Sequence, residues 1–492
     1  MKTKTRNRTV LLIQPPHENS KGIRRTASAI PLGLAYLSTH LKRNDFKVKL
    51  LDIHVEGYSD KEVKRRLKNT KDIDIYGISA FSTQYSYVKW LISEIKKLNS
   101  NSKVVVGGPL ATFSPEIVLK HGKADICVLG DGEETIVDIL NNLHNLESVP
   151  DIYYKKGKKI VKNKSRSLKE NIDVYDFPDW ELFNLDKYLN EPLFQECYNN
   201  KSINIISARG CPFKCRFCSK MQGLRMRSID NIIKEIKLLK NKYGVDKFLF
   251  AEELVMINKK RMHELCDRLE PLNITWHLNG RVNFADYELL KHMKKAGCVR
   301  VGYGLESGSD KILKNMNKAA PTKMAAKAIK NTIKAGIIPH TYTIFGYPGE
   351  DDQTIQETID FCKKNHIAPN GFNIITPIPG SSLYDDCVSK RLIKDEEEYL
   401  LKLKSTGDLL VNFTDWSEKE FFEKLAYMRK TILSNYNKYR LTHPVVLGKE
   451  FILKIKRLIR FYKYNGFAKA TRLIFKQLIT DPVRLFEPEI AN

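Results

Sequence analysis

The 492-residue sequence predicts an α/β protein with a doubly wound parallel-sheet domain, a partial (β/α) barrel and a helical C-terminal extension. Residues 8–145 alternate short β-branched runs with amphipathic helical stretches, and the alternation returns between residues 203 and 376. This order is typical of parallel sheets, because parallel strands need a long crossover connection, usually a helix. From residue 381 onward the hydrophobic spacing is helical. The predicted divisions are a first domain at 1–145, a connector at 146–200, a barrel at 201–380 and a helical region at 381–492.

In the first domain, five runs are predicted strands: TVLLI, KVKLLD, DIDIYGIS, KVVVGG and ADICVLG. Doubly wound sheets bind ligands at the carboxyl ends of their strands. Glycines stand at those ends, where the lack of a side chain lets the backbone approach a large ligand closely. They are Gly77, Gly107, Gly108, Gly130 and Gly132. Ordinary turn chemistry explains these glycines equally well.

The connector breaks the alternation. A hairpin around Gly157 is predicted by IYYKKGKKIVKNK. The aromatic content of YDFPDWELFNLDKYL predicts a segment that packs against the protein rather than a free linker. Six further runs are predicted strands of a partial or full barrel, whose site lies at the carboxyl ends of the strands. They are INIIS, KFLFA, ITWHLN, VRVGYGLE, HTYTIFG and GFNIITP.

Composition limits the class of protein. The apolar share of 42% and the charged share of 28% are globular values. No apolar run reaches the length of a membrane span, and the basic N-terminus has too short an apolar stretch for a signal peptide, so we expect a cytoplasmic protein. The net charge of +26 fits nucleic acid, an anionic membrane or solvated lysine-rich helix faces, and decides nothing alone.

Three of the nine cysteines form a compact motif directly after the first predicted barrel strand. Cys211, Cys215 and Cys218 lie in CPFKCRFC, a spacing that lets one loop wrap an iron–sulfur cube and leaves one iron without a protein ligand. A closed zinc site needs a fourth Cys or His, and the nearest downstream histidine, His263, lies in a helical stretch. The spacing favours an iron–sulfur site with an open iron. The other six cysteines are predicted to be buried small hydrophobic residues: Cys127, Cys197, Cys266, Cys298, Cys362 and Cys387.

With these residues the sequence resembles the cobalamin-binding radical S-adenosylmethionine (SAM) enzymes, of the class B methyltransferase type. RGCPFKCRFCSK is similar to their cluster loop, and the likeness continues through FLFAEELVMINKKRMHELC, GRVNFADYELLKHMKKAGCVRVGYGLESG and IFGYPGEDDQTIQETIDF to PIPGSSLYDD. In the first domain it rests on VLLIQPP, IPLGLAYLSTHLK, GISAFSTQ, VVVGGPLATFSPE and VLGDGEET. The likeness spans residues 8–385.

The resemblance implies a 4Fe–4S cluster, SAM and cobalamin as cofactors. Cys211, Cys215 and Cys218 would hold the cluster, with Phe217 packed near the cluster or the adenine. Glu253 would bind the amino group of SAM, although the family more often has aspartates where this chain has Glu252 and Glu253. The other implied SAM contacts are Glu306, Ser307, Ile344 and Gly346. The implied cobalamin contacts are Ser79, Gly107, Gly108, Thr112, Gly130, Gly132 and Glu133. A purely structural role remains the alternative for the carboxylates.

One histidine motif matches a known cobalt-ligand pattern but follows a different strand. DIHVEG, with Asp52, His54 and Gly57, spells the D-x-H-x-x-G pattern by which some cobalamin proteins supply a cobalt ligand. In those proteins the motif follows the first strand, whereas here it follows the second. The loop after the first strand offers only His17. We therefore expect cobalamin to bind without a protein histidine, and Asp52 to be a turn or crevice residue.

The implied reaction is methylation of an unactivated carbon of a small-molecule or lipid substrate, through methylcobalamin and a 5′-deoxyadenosyl radical. An electron donor such as flavodoxin or ferredoxin would be a partner. Relatives with the same architecture close rings or rearrange carbon skeletons, so these reactions are the alternative. Radical RNA modification is disfavoured, because methylthiotransferases carry three further cysteines in a domain where this chain has only Cys127, and no RNA-binding module is visible. The intact cluster loop argues against a non-catalytic cobalamin sensor.

The C-terminal stretch from Lys449 to Lys476 is basic and amphipathic. An apolar stripe of Phe451, Ile455, Leu458 and Tyr462 is flanked by Lys456, Arg460 and Lys463, which suits peripheral contact with an anionic membrane surface. A helix packed on the barrel with a solvated basic face fits equally well. Membrane contact would favour a lipid substrate.

Overall fold

The computed structural model describes residues 8–19, 22–24, 29–70, 72–190, 201–219, 223–252, 254–405 and 407–443. By their contacts these residues form two compact units. The first unit holds the described parts of Met1–Glu191, Ala208–Asn231 and Thr376–Val411. The second holds the described parts of Pro192–Ser207, Ile232–Ile375 and Asn412–Asn492. The predicted domain boundaries follow the chain order and stay a prediction.

The chain up to residue 190 alternates strands and helices, as predicted. Its strands are β1 (Thr9–Gln14), β2 (His17–Asn19), β3 (Gly22–Arg24), β4 (Lys47–Asp52), β5 (Ile75–Ser79), β6 (Lys103–Gly107), β7 (Ile126–Val128), β8 (Ile152–Lys156) and β9 (Lys159–Lys162). Its α-helices are α1 (Leu32–Arg43), α2 (Ile53–Glu56), α3 (Asp60–Lys68), α4 (Tyr85–Leu98), α5 (Gly108–Phe113), α6 (Pro115–Lys120), α7 (Glu133–Asn141) and α8 (Leu185–Asn190).

Seven of these strands form one sheet in the order β4-β1-β5-β6-β7-β8-β9. The pairings from β4 to β7 are parallel, and β8 and β9 add an antiparallel hairpin that turns at Gly157, as predicted. Strand β1 is buried along its whole length and is apolar at four consecutive positions, because helices cover both faces of such a sheet. The winding reverses between β1 and β5, and doubly wound sheets bind ligands at such a reversal.

Residues 201–375 carry the six strands of the second large sheet and a separate two-stranded ribbon. The strands are β10 (Ser202–Ile205), β11 (Ala208–Arg209), β12 (Arg225–Met226), β13 (Lys247–Phe250), β14 (Thr275–Gly280), β15 (Cys298–Glu306), β16 (Ile338–Phe345) and β17 (Gly371–Ile374). The α-helices are α9 (Ile229–Tyr243), α10 (Lys259–Leu269), α11 (Tyr287–Lys295), α12 (Asp310–Asn315), α13 (Thr322–Lys334) and α14 (Asp352–Lys364). Strands β10, β13, β14, β15, β16 and β17 pair in this order, all parallel, and make the partial barrel of the second unit.

The two faces of the barrel sheet differ in side-chain size. On the helix side, the rings of Phe250 and Trp276 meet edge to face at 5.7 Å, and the Trp276 indole donates to the Ala296 carbonyl at 2.7 Å. Strand β15 contributes the buried Tyr303 to this layer, and its hydroxyl lies 2.8 Å from the Thr332 hydroxyl of α13. On the other face, β15 carries Gly302 and Gly304, where the side chains of Asn279, Glu306 and Lys318 occupy the space that a Cβ would need.

Three further helices follow: α15 (Ser382–Ser389), α16 (Glu396–Lys402) and α17 (Glu418–Thr442). Helix α17 begins with a capping box, in which the Ser417 hydroxyl accepts from the Glu420 amide and the Glu420 carboxylate accepts from the Ser417 amide at 2.8 Å. The basic stretch Lys449–Lys476 lies outside the described residues. Among the described helices, none is both long and apolar enough to cross a membrane.

Candidate functional site

The carboxyl ends of β5 and β6 carry small side chains or none, with Ser79 ending β5 and Gly107 ending β6. Gly108 has a φ of +80°, and a Cβ at this position would lie 2.8 Å from the Ala80 carbonyl oxygen, so only glycine fits there without strain. Gly107 pairs in register with Ser79, and a Cβ added to Gly107 would meet no atom within 4 Å. A backbone that is open at Gly107 allows a large ligand to approach it closely.

Thr112 and Gly130 continue this edge of the sheet to β7. The Thr112 hydroxyl donates to the Gly108 carbonyl at 3.0 Å and accepts from the Gly130 amide at 3.1 Å. Gly130 has a φ of +64°, and Gly132 precedes the first turn of α7. We call Ser79, Gly107, Gly108, Thr112 and Gly130 the glycine edge. Sequence reasoning placed these residues in one site and the fold brings them together, whereas their contacts with cobalamin stay a prediction.

Glu133 is placed differently from the other implied cobalamin contacts. Its side chain is buried, and its carboxylate accepts from the Arg209 guanidinium at 2.6 Å. Asp131, two residues earlier, pairs with Arg225 at 2.5 Å and with Arg209 at 3.3 Å. The carboxylate of Glu133 therefore forms an ion pair with Arg209, which lies two positions before Cys211. A contact between Glu133 and cobalamin stays a prediction.

The loop from residue 210 to residue 224 carries the three cysteines. A two-residue antiparallel ribbon closes it, because Ala208 pairs with Met226 and Arg209 with Arg225. The Arg216 carbonyl accepts from the Leu383 amide at 2.9 Å, and the Ser219 hydroxyl donates to the Pro379 carbonyl at 3.0 Å. The PIPGSSLYDD segment thus holds the second half of the cluster loop within the first unit.

The thiols of this loop differ from the other described thiols. Cys211, Cys215 and Cys218 are half-buried and free of disulfides. Burial raises the pKa of each of the other five described thiols, which makes a thiolate at those positions unfavourable. They are Cys127, Cys266, Cys298, Cys362 and Cys387, and their burial confirms the prediction made for them; Cys197 lies outside the described residues.

The donor set fits an iron–sulfur cube. The described residues contain no group of three or more His, Cys, Asp or Glu side chains arranged to hold a single metal ion. An iron–sulfur cube does not need its protein ligands to converge on one point, because each thiolate binds a different iron. The cysteine sulfurs that hold a cube are therefore farther apart than the ligands of a single ion. Three accessible thiols on one anchored loop fit such an arrangement.

In the second unit, the implied SAM residues end two neighbouring barrel strands. Glu306 has a φ of +61°, and its buried carboxylate pairs with Lys318 at 2.6 Å. The strand pairing shifts between Gly304 and Glu306, and a side chain at Gly304 would collide with this ion pair. The Ser307 hydroxyl accepts from the Ser309 amide at 3.1 Å and is fully buried. Contacts of Glu306 and Ser307 with SAM stay a prediction.

The end of β16 is covered by side chains that sequence reasoning missed. Ile344 is half-buried, and Gly346 has a φ of +83°, with the Phe421 ring of α17 where a Cβ would stand. The Gly346 amide donates to Glu350, and burial raises the pKa of this carboxyl to about 8. The Gly-x-x-x-Glu spacing of the GYPGE motif was the available signal for this pairing. Contacts of Ile344 and Gly346 with SAM stay a prediction.

The acidic pair of the AEE motif is only partly described. Glu252 accepts from the Ser207 amide at 2.8 Å and from its hydroxyl, so it fixes the chain just before the ribbon that closes the cluster loop. Arg261 donates to the Ser207 carbonyl at 3.5 Å. Glu253, the implied ligand of the SAM amino group, lies outside the described residues.

His17 and His54 lie together in the first unit. The ring centroids of His17 and His54 are 4.9 Å apart, and the His17 amide donates to Nδ1 of His54 at 3.5 Å. Asp52 caps the short helix α2 by accepting from the Val55 amide at 3.1 Å, and it also accepts from the Tyr188 hydroxyl. Burial raises the pKa of Asp52 against the effect of these hydrogen bonds. Asp52 is thus a turn residue, as predicted, while cobalt binding without histidine stays a prediction.

Comparison with known proteins places these features in a family. Residues 205–362 match the model of the radical SAM superfamily, and residues 23–140 match the model of the B12 binding domain. The uncharacterized methyltransferase PH0819 of Pyrococcus horikoshii is 32% identical over 474 residues, which cover 92% of this chain and 98% of that protein. The chain belongs to the cobalamin-binding radical SAM enzymes. Its cofactors are therefore a 4Fe–4S cluster, SAM and cobalamin.

Other relatives span most of the same length. The anaerobic magnesium-protoporphyrin IX monomethyl ester cyclase of Rubrivivax gelatinosus is 26% identical over 94% of this chain and 83% of that enzyme. Among solved structures, the radical SAM methyltransferase TsrM from Kitasatospora setae, with cobalamin and a [4Fe-4S] cluster bound, has a TM-score of 0.65 at 17% identity. The alignment covers 78% of each chain and supports the fold described above.

Proposed function

We propose that this family member is a C-methyltransferase that methylates an unactivated carbon of a small-molecule substrate. The proposal is supported by the relative PH0819, which is named a methyltransferase and is matched over 98% of its length. The cluster with SAM supplies a 5′-deoxyadenosyl radical when bound, and cobalamin supplies the methyl group.

The observation that carries the proposal is the meeting of two features in one compact unit. The loop with three accessible thiols and the glycine edge both belong to the first unit. Cys211, Cys215 and Cys218 would hold the cluster, and the bare backbone at Gly107 and Gly108 would admit the face of cobalamin. Glu306, Ser307, Ile344, Gly346 and Glu253 would hold SAM at the carboxyl ends of the barrel strands. The protein's task is to orient these groups and keep water away.

The reduction of the cluster needs a donor protein, and we propose a flavodoxin or a ferredoxin for this role. A net charge of +26 favours encounter with an acidic partner, because long-range attraction raises the association rate. The rate of SAM cleavage with such a donor should fall as salt is added, since salt screens the attraction.

Ring closure or rearrangement without net methyl transfer is the second candidate, because the Rubrivivax cyclase is similar to this chain over 94% of its length. The two candidates differ in the fate of the SAM methyl group. The reconstituted holoenzyme is incubated with a metabolite extract and SAM that carries a CD₃ methyl group. A product with the CD₃ group, together with S-adenosylhomocysteine and 5′-deoxyadenosine, supports methyl transfer. A product without CD₃, formed with 5′-deoxyadenosine alone, supports the cyclase type.

We further propose a lipid substrate and peripheral membrane contact. Both rest on the apolar stripe of Phe451, Ile455, Leu458 and Tyr462 and the basic residues that flank it, which lie outside the described residues. Basic residues near an anionic bilayer contribute about 1 kcal/mol each, so a few of them with this stripe would give reversible binding.

A further inference from the structure

The ribbon that closes the cluster loop places two arginines opposite each other. Arg209 and Arg225 are direct cross-strand partners, an arrangement that repels unless acids compensate it. Asp131 and Glu133, which follow β7, supply that compensation through contacts of 2.5 Å to Arg225 and 2.6 Å to Arg209. We call Asp131, Glu133, Arg209 and Arg225 the Arg–acid cluster.

The Arg–acid cluster is shielded from solvent. The side chain of Glu133 is 5% exposed and that of Arg225 is 6% exposed, so solvent screens their charges weakly. The Arg209 guanidinium also lies 4.9 Å from the centroid of the Tyr36 ring and 5.2 Å from that of the Tyr175 ring. Two aromatic rings and the carboxylates of Glu133 and Asp131 thus hold the guanidinium.

This arrangement joins the two candidate cofactor sites of the first unit. On one side, Arg209 lies two residues before Cys211. On the other side, Glu133 begins α7, three residues after Gly130 of the glycine edge. A displacement of the ribbon relative to β7 would therefore move the thiols relative to the glycine edge.

We propose that Glu133 and Arg209 are positioning residues that fix the cluster loop against the glycine edge and set the charge beside the cluster. The inference rests on the proposed function, since it concerns the geometry between two cofactors. Glu133 then acts through Arg209 rather than by contact with cobalamin. Removal of the Glu133 charge would weaken the compensation of the Arg209 charge near Cys211, because Asp131, at 3.3 Å, is the more distant of these two acidic partners. A less compensated positive charge favours the reduced, more negative state of a cluster.

The test uses the full chain, reconstituted with iron and sulfide and loaded with hydroxocobalamin, as wild type and as Glu133→Gln. We expect the variant to bind both groups, while the reduction potential of its cluster moves to more positive values and the paramagnetic spectrum of the reduced cluster changes. Formation of 5′-deoxyadenosine should slow by about 10- to 100-fold, the usual effect of losing a residue that orients metal ligands.

Three further variants separate positioning from folding. Asp138→Asn removes another acid of α7, one that pairs with Arg166 at 2.8 Å and not with the ribbon, and it should match wild type in potential and spectrum. The double variant Glu133→Gln/Arg209→Gln should be no slower than the slower single variant, because both changes remove one interaction. Where Glu133→Gln fails to take up the cluster, Arg209→Lys is measured instead; it keeps the charge, loses the planar fork, and should change the spectrum.

An unchanged potential and spectrum in Glu133→Gln, or equal changes in Asp138→Asn, would overturn the inference. Additive losses in the double variant would also contradict it. A wild-type chain that takes up neither iron nor hydroxocobalamin would instead overturn the proposed function, and the inference would fall with it.

Discussion

The tight approach at Gly108 can be tested by adding a single methyl group. In Gly108→Ala the new Cβ would lie 2.8 Å from the Ala80 carbonyl oxygen and 3.1 Å from both the Ala80 nitrogen and the Ser79 hydroxyl oxygen. Two of these atoms belong to the backbone, so a side-chain rotation cannot relieve the contact. The left-handed backbone costs a non-glycine residue about 1–2 kcal/mol, and the crowding adds about 1–3 kcal/mol. We therefore expect Gly108→Ala to lower the free energy of unfolding by about 2–5 kcal/mol.

Urea unfolding followed by circular dichroism measures this loss, with Gly107→Ala as the matched control. Gly107 has an extended backbone with a φ of −127°, and its added Cβ would meet no atom within 4 Å. Its unfolding free energy should stay within about 0.5 kcal/mol of wild type, as for a surface substitution. Equal losses in the two variants, or a loss below about 1 kcal/mol in Gly108→Ala, would refute the assignment of the strain to this contact.

Four other predictions concern other parts of the chain. Replacement of the three loop cysteines Cys211, Cys215 and Cys218 by alanine should abolish 5′-deoxyadenosine formation; continued SAM cleavage would contradict the cluster assignment. His54→Ala should leave the cobalt paramagnetic spectrum unchanged, and an altered axial nitrogen coupling would show that His54 is a ligand. Burial raises the pKa of Glu350 to about 8 from its ordinary 4.5, so the folded chain holds a proton there that the unfolded chain releases. The unfolding free energy of wild type should therefore fall between pH 5 and pH 8 by a few kcal/mol more than that of Glu350→Gln, and parallel pH profiles would contradict this. The full chain should float with anionic liposomes at low salt and less so at high salt or when the chain ends near residue 445; indifference to anionic vesicles would remove the support for a lipid substrate.

The sequence predicted the features that depend on local spacing. The strand–helix alternation identified both parallel sheets, since a crossover helix leaves a regular hydrophobic pattern. The CPFKCRFC spacing predicted a single loop with three thiols, and the glycines at strand ends predicted a bare backbone edge. Gly107 and Gly108 show that such a prediction does not distinguish neighbouring glycines. They are adjacent and chemically identical, yet only Gly108 is crowded by backbone, and that difference depends on the neighbouring strand β5.

Contacts between distant parts of the chain could not be predicted from spacing. The pairing of Glu133 with Arg209 joins residues 76 positions apart, and that of Glu306 with Lys318 depends on a shift in strand pairing. The family resemblance implies cofactor contacts for both carboxylates, and those contacts stay a prediction. The ion pairs could not be predicted, because a sequence shows a charge but not its partner. The raised pKa of Glu350 likewise results from burial under tertiary packing, which no short motif reports.

The central claim is that one chain holds an iron–sulfur cube with an open iron together with cobalamin. The most direct test is the iron, sulfide and cobalt content of the full chain after anaerobic reconstitution and exposure to hydroxocobalamin. We expect about four irons and four sulfides per chain, with cobalt bound in equal amount to protein. Zinc in place of iron, or a chain that retains iron but no cobalt, would contradict the account.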